Sequence, residues 1–181
     1  FKGNKDGRIK DAILRDFACP EWMLIQIQEN GSYKAEDVAD FLEWALPDAN
    51  SSEESIILLL DWYRGHTESS VKQVVSRKGH ILLFHGGGTT PFTQVNDTHL
   101  HAMVQRMMVA IENLWAHSQQ RAARAAGKRI TPCPKRDDTC RFVQSMWQSI
   151  DHERVATKGY KQTGPCMALE GPVKRDDVFQ D

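Results

Sequence analysis

The chain has 181 residues, 40% of them hydrophobic and 26% charged, with 23 Lys/Arg against 24 Asp/Glu, a balance ordinary for one globular domain. No run approaches the roughly 18 apolar residues that a membrane span needs, and the opening FKGNKDGRIK lacks the apolar stretch of a secretory signal, so no membrane partner is expected. With no initiator Met and with residue 1 already in a strand-like pattern, the sequence reads as a fragment of a longer protein.

The charge is unevenly spread. Residues 1–60 carry six Lys/Arg against twelve Asp/Glu, residues 61–136 eleven against four, and residues 137–181 six against eight. A basic middle between acidic ends suggests a surface there that faces a polyanion. Cys19, Cys133, Cys140 and Cys166 show no CxxC spacing and no paired His, which argues against a zinc site and suits a reducing compartment.

In chain order, Trp22 to Gln28 (WMLIQIQ) reads as a strand ending in an Asn30-Gly31 turn. From Tyr33 to Leu46 the period changes: Val38, Phe41, Leu42 and Ala45 recur at helical spacing, with Ser32 expected as N-cap and Pro47 as terminator. Ser55 to Asp61 (SIILLLD) is an unbroken apolar run, expected to be a central strand covered on both faces. Glu68 to Lys78 predicts a short helix stopped by Gly79, and His80 to Phe84 (HILLF) a second buried strand.

From Asp97 to about Ala126 an amphipathic helix is expected, its stripe of Leu100, Met103, Val104, Met107, Met108, Ile111, Leu114 and Trp115 packing as core rather than forming a cofactor box. Residues 121–136 are a basic, Pro-containing connection, followed by helices over 138–150 and 151–160 and a charged tail expected to fray. Strands alternating with helices predict an α/β layer fold.

The stretch HGGGTTPFTQVND, His85 to Asp97, admits two readings. His-Gly-Gly-Gly after an apolar strand is the oxyanion-hole signature of lipase-like hydrolases, but that chemistry requires a G-x-S-x-G elbow downstream, and the chain contains none. The alternative is a metal site. Asp61 closes one apolar strand and Asp97 follows the loop that leaves the next, so both acids belong to neighbouring strand ends, where α/β sheets gather their functional groups. Paired carboxylates are hard ligands suited to Mg²⁺ or Mn²⁺ beside phosphates. Alone, Asp97 reads equally well as the N-cap of its helix.

These residues resemble the DDE/DDD transposases of the mariner/pogo superfamily. ILLLDWYRGHT is similar to that family's second-carboxylate strand and TTPFTQVND to its third-carboxylate loop, with thirty-five residues between Asp61 and Asp97. ENGSYKAEDVADFLEWAL and WQSIDHERVATKGYKQTGP resemble flanking helical segments, so the likeness covers about residues 1–166. HGGG departs from the usual Pro-rich start of the third loop. The first carboxylate is expected upstream of Phe1, and Asp6, Asp11 and Asp16 are not nominated for it.

The resemblance implies an RNase H-like fold, a mixed five-stranded sheet flanked by helices and truncated at its N-terminus. It divides the chain into a catalytic core over 1–126 lacking its first strand or strands, a linker over 127–137, a helical extension over 138–166 and a disordered tail over 167–181. It implies a nuclear, metal-dependent DNA transposase or endonuclease in which two Mg²⁺ or Mn²⁺ ions serve phosphodiester hydrolysis and strand transfer. Asp61 and Asp97 would be catalytic metal ligands, with His66 reaching the substrate phosphate or supporting the metal site. With the first Asp missing, the chain itself is expected to be inactive.

Lys72, Arg77, Lys78, Arg106, Arg121 and Arg124 are candidate DNA contacts, since phosphate charge dominates such affinity. The partners expected are DNA and a second copy in a homodimer. His66 reads equally well as a loop residue organising a helix start. His99 and His101, two apart, face different sides of a helix and make no zinc pair. The competing class is a domesticated relative that keeps the fold as a DNA- or protein-binding module without catalysis. A nucleotide-binding α/β protein is disfavoured by the absence of G-x-x-x-x-G-K-[ST] and G-x-G-x-x-G.

Overall fold

A computed structural model describes residues 1–3, 8–49, 54–85 and 99–163. Its elements in chain order are α1 (Arg8–Asp16), α2 (Ala35–Ala45), β1 (Ile57–Leu60), α3 (Arg64–Thr67), α4 (Ser69–Arg77), β2 (Ile81–Phe84), α5 (His101–Ala125), α6 (Arg136–Gln148) and α7 (His152–Thr163). The protein is mixed α/β. Of the sheet expected, the described residues form one parallel pair, β1 with β2, in register from Ile57 opposite Ile81 to Leu60 opposite Phe84.

Two apolar clusters organise these elements. Val38, Leu42 and Leu46 of the α2 segment meet Val71 and Val75 of α4, and Leu58, Leu60 and Leu82 of the strands pack beneath them. Sequence alternation explains the pairing. Leu58, Leu60 and Leu82 point to one face of the sheet, and Val71 and Val75, four apart, occupy one face of α4. The second cluster joins Ile13 of α1, Phe17, Ile25 and Ile27 to Cys140 of α6, so α6 closes over the N-terminal segment. Arg141 donates to the carbonyl of Asp16 across the same junction.

Local chemistry sets the helix ends. The Lys34 amide donates to Asp37 Oδ2 at 2.9 Å and the Lys135 amide to Asp138 Oδ2 at 3.0 Å, so an Asp three residues inside reaches back to the start of α2 and of α6. At α2 this device takes the place of the expected Ser32 cap. The helix stops at Leu46, whose extended backbone (φ −89, ψ 130) is what a following proline demands. α4 closes as a Schellman turn: Gly79, at φ 79, donates to Ser76, and His80 donates to Val75, both at 3.0 Å.

Several expectations are corrected. The 22–28 segment, expected as a strand, forms a single parallel bridge among the described residues, Lys2 to Gln28, with backbone hydrogen bonds joining Gln28 to Phe1 and Gly3. β1 and β2 are not covered on both faces. Ile57 is 60% exposed and Ile81 and Leu83 are about half exposed, since among the described residues the helices pack on one side. α1 was not anticipated, although Ile9, Ile13 and Phe17 recur at four-residue spacing. The Met-bearing stripe of α5 is not core: no residue of that helix is buried and Leu114 is 72% exposed. Among the described residues its main neighbour is α6, through contacts such as Trp115 edge-to-face on Phe142 at 5.6 Å, and that one helix does not cover so wide a stripe. α6 begins at Arg136 rather than 138.

Val71 is fully buried, so Val71→Ala should lower stability by about 2 kcal/mol, from two lost methyl groups plus the cavity they leave. Val109→Ala, on the exposed side of α5, should change it by less than about 0.5 kcal/mol. Urea denaturation followed by circular dichroism checks both.

Thiol accessibility gives an independent reading of the junction with α6. Burial pushes the thiol pKa of Cys140 up, with Cys19 and Asp137 nearby adding to the shift, whereas Cys133 is exposed. Iodoacetamide labelling followed by peptide mass mapping should modify Cys133 promptly and Cys140 only when the fold opens.

Candidate functional site

The parallel pairing fixes what meets at the sheet edge. Parallel neighbours end at the same side, so Asp61, first residue past β1, emerges beside His85, first residue past β2, and the His85 amide donates to Leu60 at 2.8 Å to extend the ladder. His85 is buried. The rest of the Gly-rich loop and Asp97 lie outside the described residues, so the meeting of Asp61 with Asp97 is not in view.

Asp61 is held by His66. The imidazole Nδ1 lies 2.5 Å from Asp61 Oδ1 and 3.4 Å from the Asp61 carbonyl, and both side chains are part-buried, His66 25% and Asp61 31% exposed. An ionised carboxylate only accepts, so Nδ1 carries the proton and Nε2 is the ring's other nitrogen, with its lone pair in the neutral form. The four-residue helix α3 sets this geometry. His66 sits one turn past Tyr63, and its amide donates to the Tyr63 carbonyl at 2.9 Å.

Gly65 lets the Tyr63 ring lie close over the turn, because a Cβ there would come within 2.9 Å of that ring and push it aside. The Tyr63 ring in turn meets His66 edge-on, with centroids 5.4 Å apart. Among the described residues Asp61 Oδ2 has no hydrogen-bond partner, and no three His, Cys, Asp or Glu side chains gather into a metal-holding group.

A second histidine anchors the frame behind the site. His80 Nδ1 accepts the Ile56 amide at 3.2 Å and Nε2 approaches the Pro47 carbonyl at 2.9 Å, so the ring is the Nε2–H tautomer tying β1 to the end of α2. It is buried, as is Lys78, whose Nζ donates to the Leu46 carbonyl at 2.7 Å.

The basic candidates therefore divide. Lys78 points inward, and Arg77 pairs with Glu43. Lys72, Arg106, Arg121 and Arg124 are exposed, Arg106 leaning on the carbonyl of Ala102 in its own helix. α5 carries the last three along its length, ending in a basic last turn.

Sequence reasoning placed His66 at the substrate phosphate, in support of the metal site, or at a helix start, and did not name Asp61 as its direct partner. The five-residue separation across a tight glycine turn was the available signal. The aromatic pair Trp62 and Tyr63 between them was missed altogether.

In comparisons with known proteins, no family model, no curated protein and no solved structure matches this chain.

The Asp61–His66 bond has a spectroscopic consequence. At alkaline pH, nitrogen-15 NMR of the His66 ring should show Nδ1 protonated and Nε2 bare, and Asp61→Ala should return the ring to the Nε2–H form usual for neutral histidine. A ring already in the Nε2–H form in the parent protein would refute the bond.

Proposed function

We propose that this chain carries part of the catalytic core of a metal-dependent DNA endonuclease or transposase with an RNase H-like fold. The observation that carries this reading is Asp61. It is a carboxylate at the C-terminal edge of a parallel strand pair, oriented through one oxygen by His66, beside the strand whose exit leads towards Asp97.

The donor chemistry fits a hard divalent cation. A carboxylate with one oxygen fixed and the other uncommitted among the described residues is the kind of ligand that Mg²⁺ and Mn²⁺ take. Asp61 and Asp97 would hold the ions. Such ions, when bound, stabilise the attacking and leaving oxygens of an in-line phosphoryl displacement.

The chain's own residues do the rest. Asp61 offers Oδ2, and His66 keeps Oδ1 from rotating away. The exposed cations Lys72, Arg106, Arg121 and Arg124 meet DNA phosphates, and their release of counterions makes binding salt-dependent.

Mn²⁺ binding, followed by the loss of its free electron-paramagnetic signal, should be weak in this chain and weaker by about tenfold or more in Asp61→Asn, with His66→Ala showing a smaller loss. Duplex DNA should bind without sequence preference, and its affinity should fall steeply with added salt. A chain extended upstream by the strand carrying the first acid should nick supercoiled plasmid with Mg²⁺ or Mn²⁺, and Asp61→Asn or Asp97→Asn should abolish the nicking. Mn²⁺ affinity indifferent to Asp61 would overturn the site. An extended chain that binds DNA yet never nicks would replace the enzyme with a domesticated binding module.

A further inference from the structure

We propose that Trp62, supported by Tyr63, is a stacking platform for an unpaired nucleobase, so that the segment past Asp61 engages single-stranded or locally melted DNA. The inference rests on the nuclease reading above and adds the form of substrate to it. Trp62 is 67% exposed, the most exposed of the aromatic residues among the described residues. Exposure alone is common among this chain's large apolar side chains; what sets Trp62 apart is its place, the residue next to the candidate carboxylate Asp61 and packed on the edge of the adjoining strand.

The ring is not loose. Trp62 meets Phe84 of the neighbouring strand edge-to-face, with centroids 5.2 Å apart, which ties it to the sheet edge that presents Asp61. Tyr63, half exposed, is seated over Gly65 and against His66. The next residue, Arg64, has a side chain 94% exposed whose ion pair among the described residues is a long 3.9 Å one to Glu68, and Lys72 is exposed one element further on.

Carboxylate, indole, phenol and guanidinium thus follow one another from 61 to 64. Every base offers a π-face, so stacking is indifferent to sequence, and cations track the phosphates on either side. A base can reach an indole only when it is out of the duplex stack, which is why this surface suits melted rather than paired DNA.

The test compares a short fluorescein-labelled oligothymidylate with a duplex of the same length, by anisotropy at fixed moderate salt. Trp62→Ala should weaken oligothymidylate binding by about tenfold, while Trp62→Phe, which keeps a stacking face, should stay close to the parent. Duplex affinity and the salt slope for either form should be unchanged. Trp22→Ala serves as a control of smaller exposure, and circular dichroism verifies the fold of each variant.

Oligothymidylate affinity unaffected by Trp62→Ala, or lost equally for duplex, would overturn the platform and leave the nuclease reading standing. A parent chain that binds neither form would overturn both. A shift of Trp62→Ala to a smaller species in sedimentation would place the ring between two copies of the chain and overturn the platform in favour of self-association.

Discussion

Parallel pairing of Ile57–Leu60 with Ile81–Phe84 obliges the chain to cross from the end of one strand back to the start of the next, and α3 and α4 make that crossing. The same constraint places both strand exits on one edge, which is why Asp61 and the start of the Gly-rich loop are neighbours though separated in sequence. Short strands with one covered face supply little cohesion themselves. The crossing helix supplies it, through Val71 and Val75 against α2 and against the strand leucines. The position of the Asp61 carboxylate therefore depends on apolar packing made by residues that never touch it.

Legibility in the sequence followed how local the determining physics was. The helices at 35–45, 69–77, 136–148 and 152–163 were readable because their spacing and end signals lie within a few residues, as with Pro47 and Gly79. The strands at 57–60 and 81–84 were readable as apolar runs, and their pairing was consistent with the helix between them. What failed depended on partners distant in sequence. Whether a strand face is covered, whether WMLIQIQ finds a ladder, and whether the α5 stripe is core are decided by what lies alongside.

α1 was missed for a different reason. Its charged composition, RIKDAILRD, hides a narrow stripe in which only Ile13 becomes fully buried. At the site, Asp61 was legible as the polar end of an apolar run. Its bond to His66 was not, because it requires the turn at Gly65 to fold the imidazole back by one short helical turn.

The contacts of His80 and His66 show how one side chain type serves unlike ends. His80 has both nitrogens committed to backbone groups of two different segments, so it acts as a cross-brace, and an apolar replacement would strand the Ile56 amide and the Pro47 carbonyl. His66 commits one nitrogen to a carboxylate and has its other ring nitrogen free of such a bond among the described residues. A brace uses both nitrogens; an orienting residue uses one. That difference, rather than mere proximity to Asp61, separates the structural histidine from the one at the candidate site.

Charge decides how an anionic site can meet an anionic polymer. Two unit like charges about 4 Å apart repel by about 1 kcal/mol in bulk water and about 4 kcal/mol where the effective dielectric falls to about 20. Asp61, two-thirds covered, sits nearer the second regime, so an approaching phosphodiester is opposed unless positive charge is close by. The stretch from 61 to 136 carries eleven Lys/Arg against four Asp/Glu, and its exposed members on α4 and α5 would supply a long-range attraction to such a polymer. Long-range attraction cannot by itself cancel a contact repulsion, because surface charges more than about 10 Å away are largely screened at ordinary salt. The remaining repulsion has to be met at the carboxylate. A divalent ion held there would reverse its sign, so the proposed phosphate chemistry requires a cation at Asp61 rather than a DNA contact made by the bare carboxylate.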